Sequence, residues 1–324
     1  MTILTLPRPG ESYDSKAPTI IKAPSEQTFI SIFGQMLPKA IYINTTHGCA
    51  AYYSLPATGK SNDNSDSTIQ RVLFVHGVQT PAIGLQPLAS TLSRRFPSAH
   101  CVLVDLWGHG LSDTPILPHE ASLFHSLLND LLDELKWKDA HVIGYSFGGS
   151  TCASFAASYS ERVSSMALVA PAGLVRSETF GEVQQAYLSG DGTEEEAKDW
   201  VFEWLEGGKL VVPYDWKERI ARGDIVAEAV RDWEVREHEG HVASVVGIVR
   251  DGGVLDKHGE FVKAAETGIP SICVLGELDD LCSVQDLAEV GMKNAQVVSQ
   301  VGHGVVRQKV PEVADLIENF WKGL

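Results

Sequence analysis

The stretch AHVIGYSFGG, Ala140–Gly149, runs from an apolar strand into a serine flanked by glycines. Gly144-Tyr145-Ser146-Phe147-Gly148 is a G-x-S-x-G pattern in a telling setting. A strand, AHVIG, precedes it, and Ser146 to Tyr159 reads as a helix of small residues. A serine on so sharp a turn projects its hydroxyl. Gly144 and Gly148 leave room for the turn and Gly149 extends that space. The helix that follows aims free N–H groups and its positive end at the same spot, which favours developing negative charge.

Outward from this turn the chain alternates. Arg71–Val75 (RVLFV), Cys101–Val104 (CVLV) and Val163–Val169 read as buried strands, while Leu85 to Phe96 and Leu123 to Leu135 have helical apolar spacing. Such alternation predicts a mostly parallel sheet covered by helices. Ala40–Thr45 and Cys49–Leu55 flank His47-Gly48 as an antiparallel hairpin. After Gly173 the alternation stops. Helical patterns are expected over Glu178–Leu188, Glu194–Leu205, Asp215–Arg222, Ile225–His238 and His241–Val249, before strands return at Ser271–Leu275 and Gln296–Ser299 and a helix closes the chain at Val310–Trp321.

The expected organisation is an irregular N-terminal arm over residues 1–39, a core in two pieces, 40–174 and 268–324, and an inserted helical lid over 175–267. Polar Gly59–Ser67 reads as a flexible surface loop. Trp200, Trp204, Trp216 and Trp233 fall in the insertion; they either pack a small helical subdomain or, with Tyr187 and Tyr214, line a cavity beneath it.

Twenty-six Lys and Arg against 42 Asp and Glu leave a formal charge of -16 over 324 residues, which argues against a nucleic-acid binder. Met1–Ser15 has no apolar run of signal-peptide length, and no membrane span is expected. Five widely spaced cysteines, Cys49, Cys101, Cys152, Cys273 and Cys282, suggest a reducing, cytoplasmic setting. No close Cys/His spacing suggests a metal site, and neither GxxxxGK[ST] nor a strand-following GxGxxG suggests a nucleotide; no cofactor is expected.

From Ala40 to Leu324 the chain resembles the α/β-hydrolase superfamily, specifically its lid-bearing, esterase-like and lactonase-like serine hydrolases. The resemblance rests on ordered motifs: His76-Gly77, DLWGHGLS at Asp105–Ser112, GYSFGG, LVAPAG at Leu168–Gly173, GELD at Gly276–Asp279 and GHG at Gly302–Gly304. It implies an eight-stranded, mostly parallel sheet with one antiparallel strand. It also implies a nucleophile at Ser146, a base at His303 and an acid at Asp279, in the chain order of this fold. Asp280 is the alternative acid, and Glu277 a less favoured one. Oxyanion donors would be the main-chain N–H groups of Phe147, the residue after the serine, and Val78, after His76-Gly77. His76, His109 and Asp105 are expected to be structural, and His238, His241 and His258 to be surface groups of the lid.

The function expected from this set is hydrolysis of a carboxylic ester or lactone of a small to medium apolar molecule. Cleavage of a carbon–carbon bond in a diketone-like compound is the alternative chemistry, and a non-catalytic small-molecule binder the alternative class. HGVQTP at His76–Pro81 departs from the glycine-rich oxyanion loops of the carbon–carbon hydrolases. A serine at 146, not an aspartate, argues against epoxide or haloalkane hydrolysis. Monomer and homodimer are equally compatible with the sequence.

Overall fold

Side chains along the central strands sort alternately into two apolar layers. Leu73, Val75, Val102, Val104 and Val142 face one core; Val72, Phe74, Cys101, Leu103 and Ile143 face the other. A period of two with both faces buried demands helices on each side of the sheet. The computed structural model describes residues 4–11, 19–59 and 69–324. Of the polar loop Gly59–Ser67, residues 60–67 lie outside the described residues, as does part of the N-terminal arm.

Among the described residues the strands are β1 (Ile20–Ile21), β2 (Ile41–Thr45), β3 (Gly48–Leu55), β4 (Arg71–Val75), β5 (His100–Val104), β6 (Thr114–Pro115), β7 (Ala140–Tyr145), β8 (Val163–Val169), β9 (Ser271–Gly276) and β10 (Ala295–Val298). β1 and β6 form a small antiparallel pair. The other eight make one sheet in the order β10-β9-β8-β7-β4-β5-β3-β2. β3 is antiparallel to both its neighbours, and the remaining pairings are parallel, so β3 alone runs against the rest. The expected eight-stranded, mostly parallel sheet is present.

One face is covered by the helices Ala121–Glu134 and Phe147–Ser158. The first buries Leu123, Phe124, Leu127, Leu128, Leu131 and Leu132, a three-and-four spacing that makes one continuous apolar stripe. Each such side chain contributes about 1.5–3 kcal/mol by leaving water. The opposite face carries Gln86–Arg95 and Val310–Lys322, meeting through Leu88, Leu92, Val313 and Ile317.

Between β8 and β9 the described chain holds helices at Glu182–Ser189, Glu194–Glu206, Trp216–Ala221, Ala227–Glu237, His241–Gly247 and His258–Glu266, and no strand of either sheet. Thr193 opens the second of these with a reciprocal capping box to Glu196, and Gly207 ends it in the left-handed conformation. His258–Glu266 packs back on the core through Phe261 and Ala264. No helix among the described residues is long and apolar enough to cross a membrane.

The arm departs from the irregular reading. Glu26–Phe33 is a helix whose N-cap, Ser25, accepts a hydrogen bond from the Thr28 amide at 3.2 Å. Its Phe29 and Phe33, four residues apart, lie against Trp233 at 5.0 and 6.2 Å between ring centroids, and Phe33 also meets Trp216. Eight residues are too few for a helix to hold alone in water, so tertiary packing stabilises this one.

Trp233 is fully buried, and its indole N–H has no hydrogen-bond acceptor among the described residues. Trp233→Ala is therefore expected to cost about 3–5 kcal/mol, the range for an emptied aromatic core site. Trp233→Phe should cost much less, since it keeps a ring and deletes an unpaired donor. Urea unfolding of the two variants checks this; equal losses would show that ring packing is not what the site contributes.

Candidate active site

The chain turns at Ser146 with φ 54° and ψ -119°, a conformation that side chains other than glycine rarely adopt. Strain of this kind costs about 1–3 kcal/mol and persists only where the surroundings enforce it. Here β8 holds one side, with the Ser146 amide donating to the Val169 carbonyl at 3.0 Å. The helix holds the other, with the Gly149 amide donating to the Ser146 carbonyl at 2.8 Å. Gly148 crosses β4 so closely that a methyl group there would collide with the Val75 carbonyl.

Two loops bring partners to this turn. After β9 the Glu277 amide donates to Val298 and the Leu278 amide to Val301, each at 2.9 Å, while Glu277 accepts from the Gln300 amide at 2.8 Å. These bonds zip the loop carrying Asp279 to the loop carrying His303. The Tyr145 hydroxyl donates to the His303 carbonyl at 3.1 Å and ties that loop to β7. The result is a chain of contacts. His303 Nε2 lies 2.9 Å from Ser146 Oγ, and His303 Nδ1 lies 3.0 Å from Asp279 Oδ2.

The Asp279 side chain is fully buried, and its other oxygen accepts from the Leu281 amide at 3.2 Å. A carboxylate facing Nδ1 keeps the imidazole proton there and leaves the Nε2 lone pair to accept from the serine hydroxyl. Asp280 is exposed, and Glu277 is engaged with Gln300; the imidazole meets neither.

Val78 lies beside this centre, on a loop so near that a methyl group on Gly77 would stand 2.9 Å from Ser146 Cβ. Phe147 opens the helix, where the first N–H groups have no partner within it. Buried side chains stitch the Val78 loop to the Asp105–Asp113 segment. His76 Nε2 accepts from the Leu106 amide at 2.9 Å, His109 Nε2 from the Gln79 amide at 3.1 Å, and Asp105 from the Ala82 and Leu111 amides and the Tyr53 hydroxyl. Gln79 itself has φ 67°.

His238 and His241 correct the expectation that they are surface groups. Both are buried, and they meet the Ser112 and Gly108 carbonyls at 2.9 Å each. His241 Nδ1 is also 3.3 Å from Glu234, yet burial lowers the histidine to about 3 and raises the carboxyl well above its usual range. Burial therefore disfavours the charged form of both groups and works against an ion pair here. His258 is half-exposed.

A cavity of about 230 Å³ opens over Ser146 and His303. The insertion contributes Trp204 and Arg231, and the core contributes Val78 and Arg307. Trp200 stacks on Trp204 at 6.1 Å, Trp216 and Trp233 pack against the N-terminal helix, Tyr187 tilts on Trp200, and Tyr214 is almost wholly exposed. Arg231 and Arg307 were not singled out from the sequence; the one available signal was the spacing of Arg307 four residues beyond His303. Among the described residues no group of three or more His, Cys, Asp and Glu side chains could hold a metal ion.

A family model described as alpha/beta hydrolase fold matches residues 70–201. The chain has the α/β-hydrolase superfamily fold. An enol-lactonase from Burkholderia xenovorans LB400 is 20% identical, with 87% of this chain and 100% of that one covered and a TM-score of 0.62. A meta-cleavage product hydrolase from Pseudomonas fluorescens IP01 is 17% identical, with 89% and 98% covered and a TM-score of 0.60. A Bacillus subtilis (strain 168) protein described as a candidate 2-succinyl-6-hydroxy-2,4-cyclohexadiene-1-carboxylate synthase is 23% identical over 258 residues, 75% of this chain and 87% of that protein. Other curated relatives are matched over only 26 to 50% of their own length.

The buried histidines set a pH dependence. Burial lowers His76, His119 and His125 to about 4 and His241 to about 3. The unfolded chain, with histidines near 6.5, binds more protons between those values, so stability rises with pH there and falls on acidification. Asp105, raised to about 6 by burial, acts in the opposite sense between its ordinary 3.8 and 6, as does Glu234, but His109 and His238, also lowered by burial, add to the four histidines. Each histidine should lose roughly 2 kcal/mol of stabilisation between pH 6.5 and 5. The urea midpoint is expected to drop steeply from pH 7 to pH 5; a flat profile would mean that these rings are solvated in the native state.

Proposed function

We propose that this protein is a serine hydrolase that opens a carboxylic ester or lactone of a small to medium, largely apolar molecule through an acyl-enzyme on Ser146. The observation that carries the reading is the bond chain from Asp279 through His303 to Ser146, with 3.0 and 2.9 Å separations. A serine hydroxyl is a weak nucleophile until a base takes its proton, and a base works best when a third group holds its tautomer. His303 takes the Ser146 proton as the oxygen attacks the substrate carbonyl, and Asp279 stabilises the imidazolium that results. The Val78 and Phe147 amides hold the oxyanion of the tetrahedral intermediate. Its collapse breaks the acyl–oxygen bond, and the imidazolium protonates the departing alkoxide. Water, deprotonated by the same imidazole, then releases the acid and restores the serine.

In this reading the helices of 175–267 form the lid. Trp204, Leu205 and Val254 from 175–267 join Ala172 and Leu281 as apolar wall, favouring an uncharged bulk of substrate and limiting water around the acyl-enzyme. The similar Burkholderia protein is named an enol-lactonase, which supports this bond type.

Wild-type protein is expected to be labelled stoichiometrically by a fluorophosphonate, read by intact mass, and Ser146→Ala to be unlabelled. Ser146→Ala and His303→Gln should lower turnover of a hydrolysed ester by about 10⁴–10⁶, and Asp279→Asn by about 10⁴. Folded wild-type protein that takes no label would overturn the reading in favour of a binding protein. A product screen over esters, lactones, thioesters and diketones tests the bond: acid plus ketone from a 1,3-diketone, with no ester or lactone turned over, would replace ester cleavage by carbon–carbon cleavage.

A further inference from the structure

Two arginines line the cavity, and they differ in one respect. Arg231 is neutralised within the protein, with Nη1 2.6 Å from Glu206 and Nη2 3.9 Å from Glu228. Arg307 has no carboxylate within 4.0 Å among the described residues; its Nη1 is buried without a hydrogen-bond acceptor, and its Nε and Nη2, which have none either, stay open. A guanidinium cannot shed its charge at any ordinary pH, so desolvating one of its donors with no partner has a real cost. The net charge of -16 relieves little of that cost, because charges beyond about 8–10 Å are screened.

The position of Arg307 is held from two sides. It lies on the short helix Val305–Gln308, one turn beyond His303, and its amide donates to the Gly304 carbonyl at 3.0 Å. Its guanidinium carbon stands 5.4 Å from the centroid of the Tyr145 ring, and the His303 ring lies 5.3 Å from that same ring. Stacking on an aromatic face fixes the plane of a guanidinium, and its open Nε–Nη2 edge can give a carboxylate two parallel N–H bonds.

The geometry points to Arg307 as the residue that selects the substrate: the ester or lactone carries a carboxylate group, separate from the scissile carbonyl, that seats on this guanidinium. The inference rests on the proposed hydrolytic reading and narrows it. The molecule is apolar where it meets Trp204, Leu205 and Val254 and anionic at one end. Binding the anion one helical turn from His303 orients the scissile carbonyl toward Ser146 before any bond is made, and positioning of that kind raises the effective concentration of the reacting groups. No atom of Arg307 takes part in bond making or breaking; it binds and orients.

The test uses pairs of esters that differ only in charge: the monomethyl esters of succinic, glutaric and adipic acids and the corresponding dimethyl esters. Calorimetry on Ser146→Ala protein should show tighter binding, tenfold or more, of at least one half-ester over its diester. Adding Arg307→Gln should abolish the preference, and Arg307→Lys, which keeps the charge but loses the fork, should restore part of it; melting curves verify that each variant is folded. On active enzyme the same ratio should appear in KM more than in kcat. Equal binding of the paired esters, binding of neither, or a preference that survives Arg307→Gln would overturn the anion site. Hydrolysis of both esters with a ratio unmoved by Arg307→Gln would overturn it while leaving the hydrolase reading intact. A retained half-ester preference in a protein that takes no fluorophosphonate would do the reverse.

Discussion

The strained turn at Ser146 is the constraint on which the rest of this molecule hangs. A non-glycine residue at φ 54° is held there by a parallel strand on one side and a helix on the other, and that helix can sit so near the sheet only because Gly148 has no side chain to meet the Val75 carbonyl. The turn places a hydroxyl above the carboxyl end of the sheet. Every loop that reaches it leaves from that same edge: the Val78 loop after β4, the Asp279 loop after β9 and the His303 loop after β10. Parallel strands make this convergence unavoidable, since their ends point the same way.

A second layer of buried polar groups keeps those loops in place. Asp105, His76 and His109 each accept main-chain N–H bonds from the loops around the site, and Glu234 on an inserted helix accepts the Gly110 amide at 2.9 Å. Burial lowers His76 to about 4, so its ring accepts as a neutral imidazole, and raises Asp105 to about 6. The inserted helices are therefore fastened to the core by hydrogen bonds as well as by apolar contact. The N-terminal helix adds a clamp on the far side through Phe29, Phe33 and Trp233.

The cavity is less uniform than an apolar-substrate reading suggests. Trp204, Leu205 and Val254 give it an apolar wall, while Arg231, Glu228 and Arg307 bring charge to the same space. Within that space only the pairing of the charges distinguishes a structural arginine from one available to a ligand, and the pairing involves residues on separate helices: Arg231 meets Glu206 across 25 positions of sequence.

What the sequence determined by itself is the part governed by short-range rules. A period of two with both faces apolar makes central strands, leucines at three and four make the Ala121–Glu134 helix, and glycines beside Ser146 permit the turn; each is a property of ten or so neighbouring residues. The order Ser146, Asp279, His303 was legible for the same reason, since each stands in a short motif at a strand end. The tertiary structure decided what depends on burial and on distant partners. Asp279 and Asp280 are adjacent in sequence, and only the folded turn, closed by the Asp279 amide on the Gly276 carbonyl at 3.1 Å, aims one of them at the imidazole. His238 and His241 read as surface groups because they stand in the polar stretch Arg236–His241 (REHEGH); the loop Gly108–Ser112, more than a hundred residues away, covers them. The Glu26–Phe33 helix needed Trp216 and Trp233 to cover it, and Arg307 gained its exposure to the cavity from loops meeting in space. Desolvation and long-range pairing are set by the whole packed chain, which no window of sequence contains.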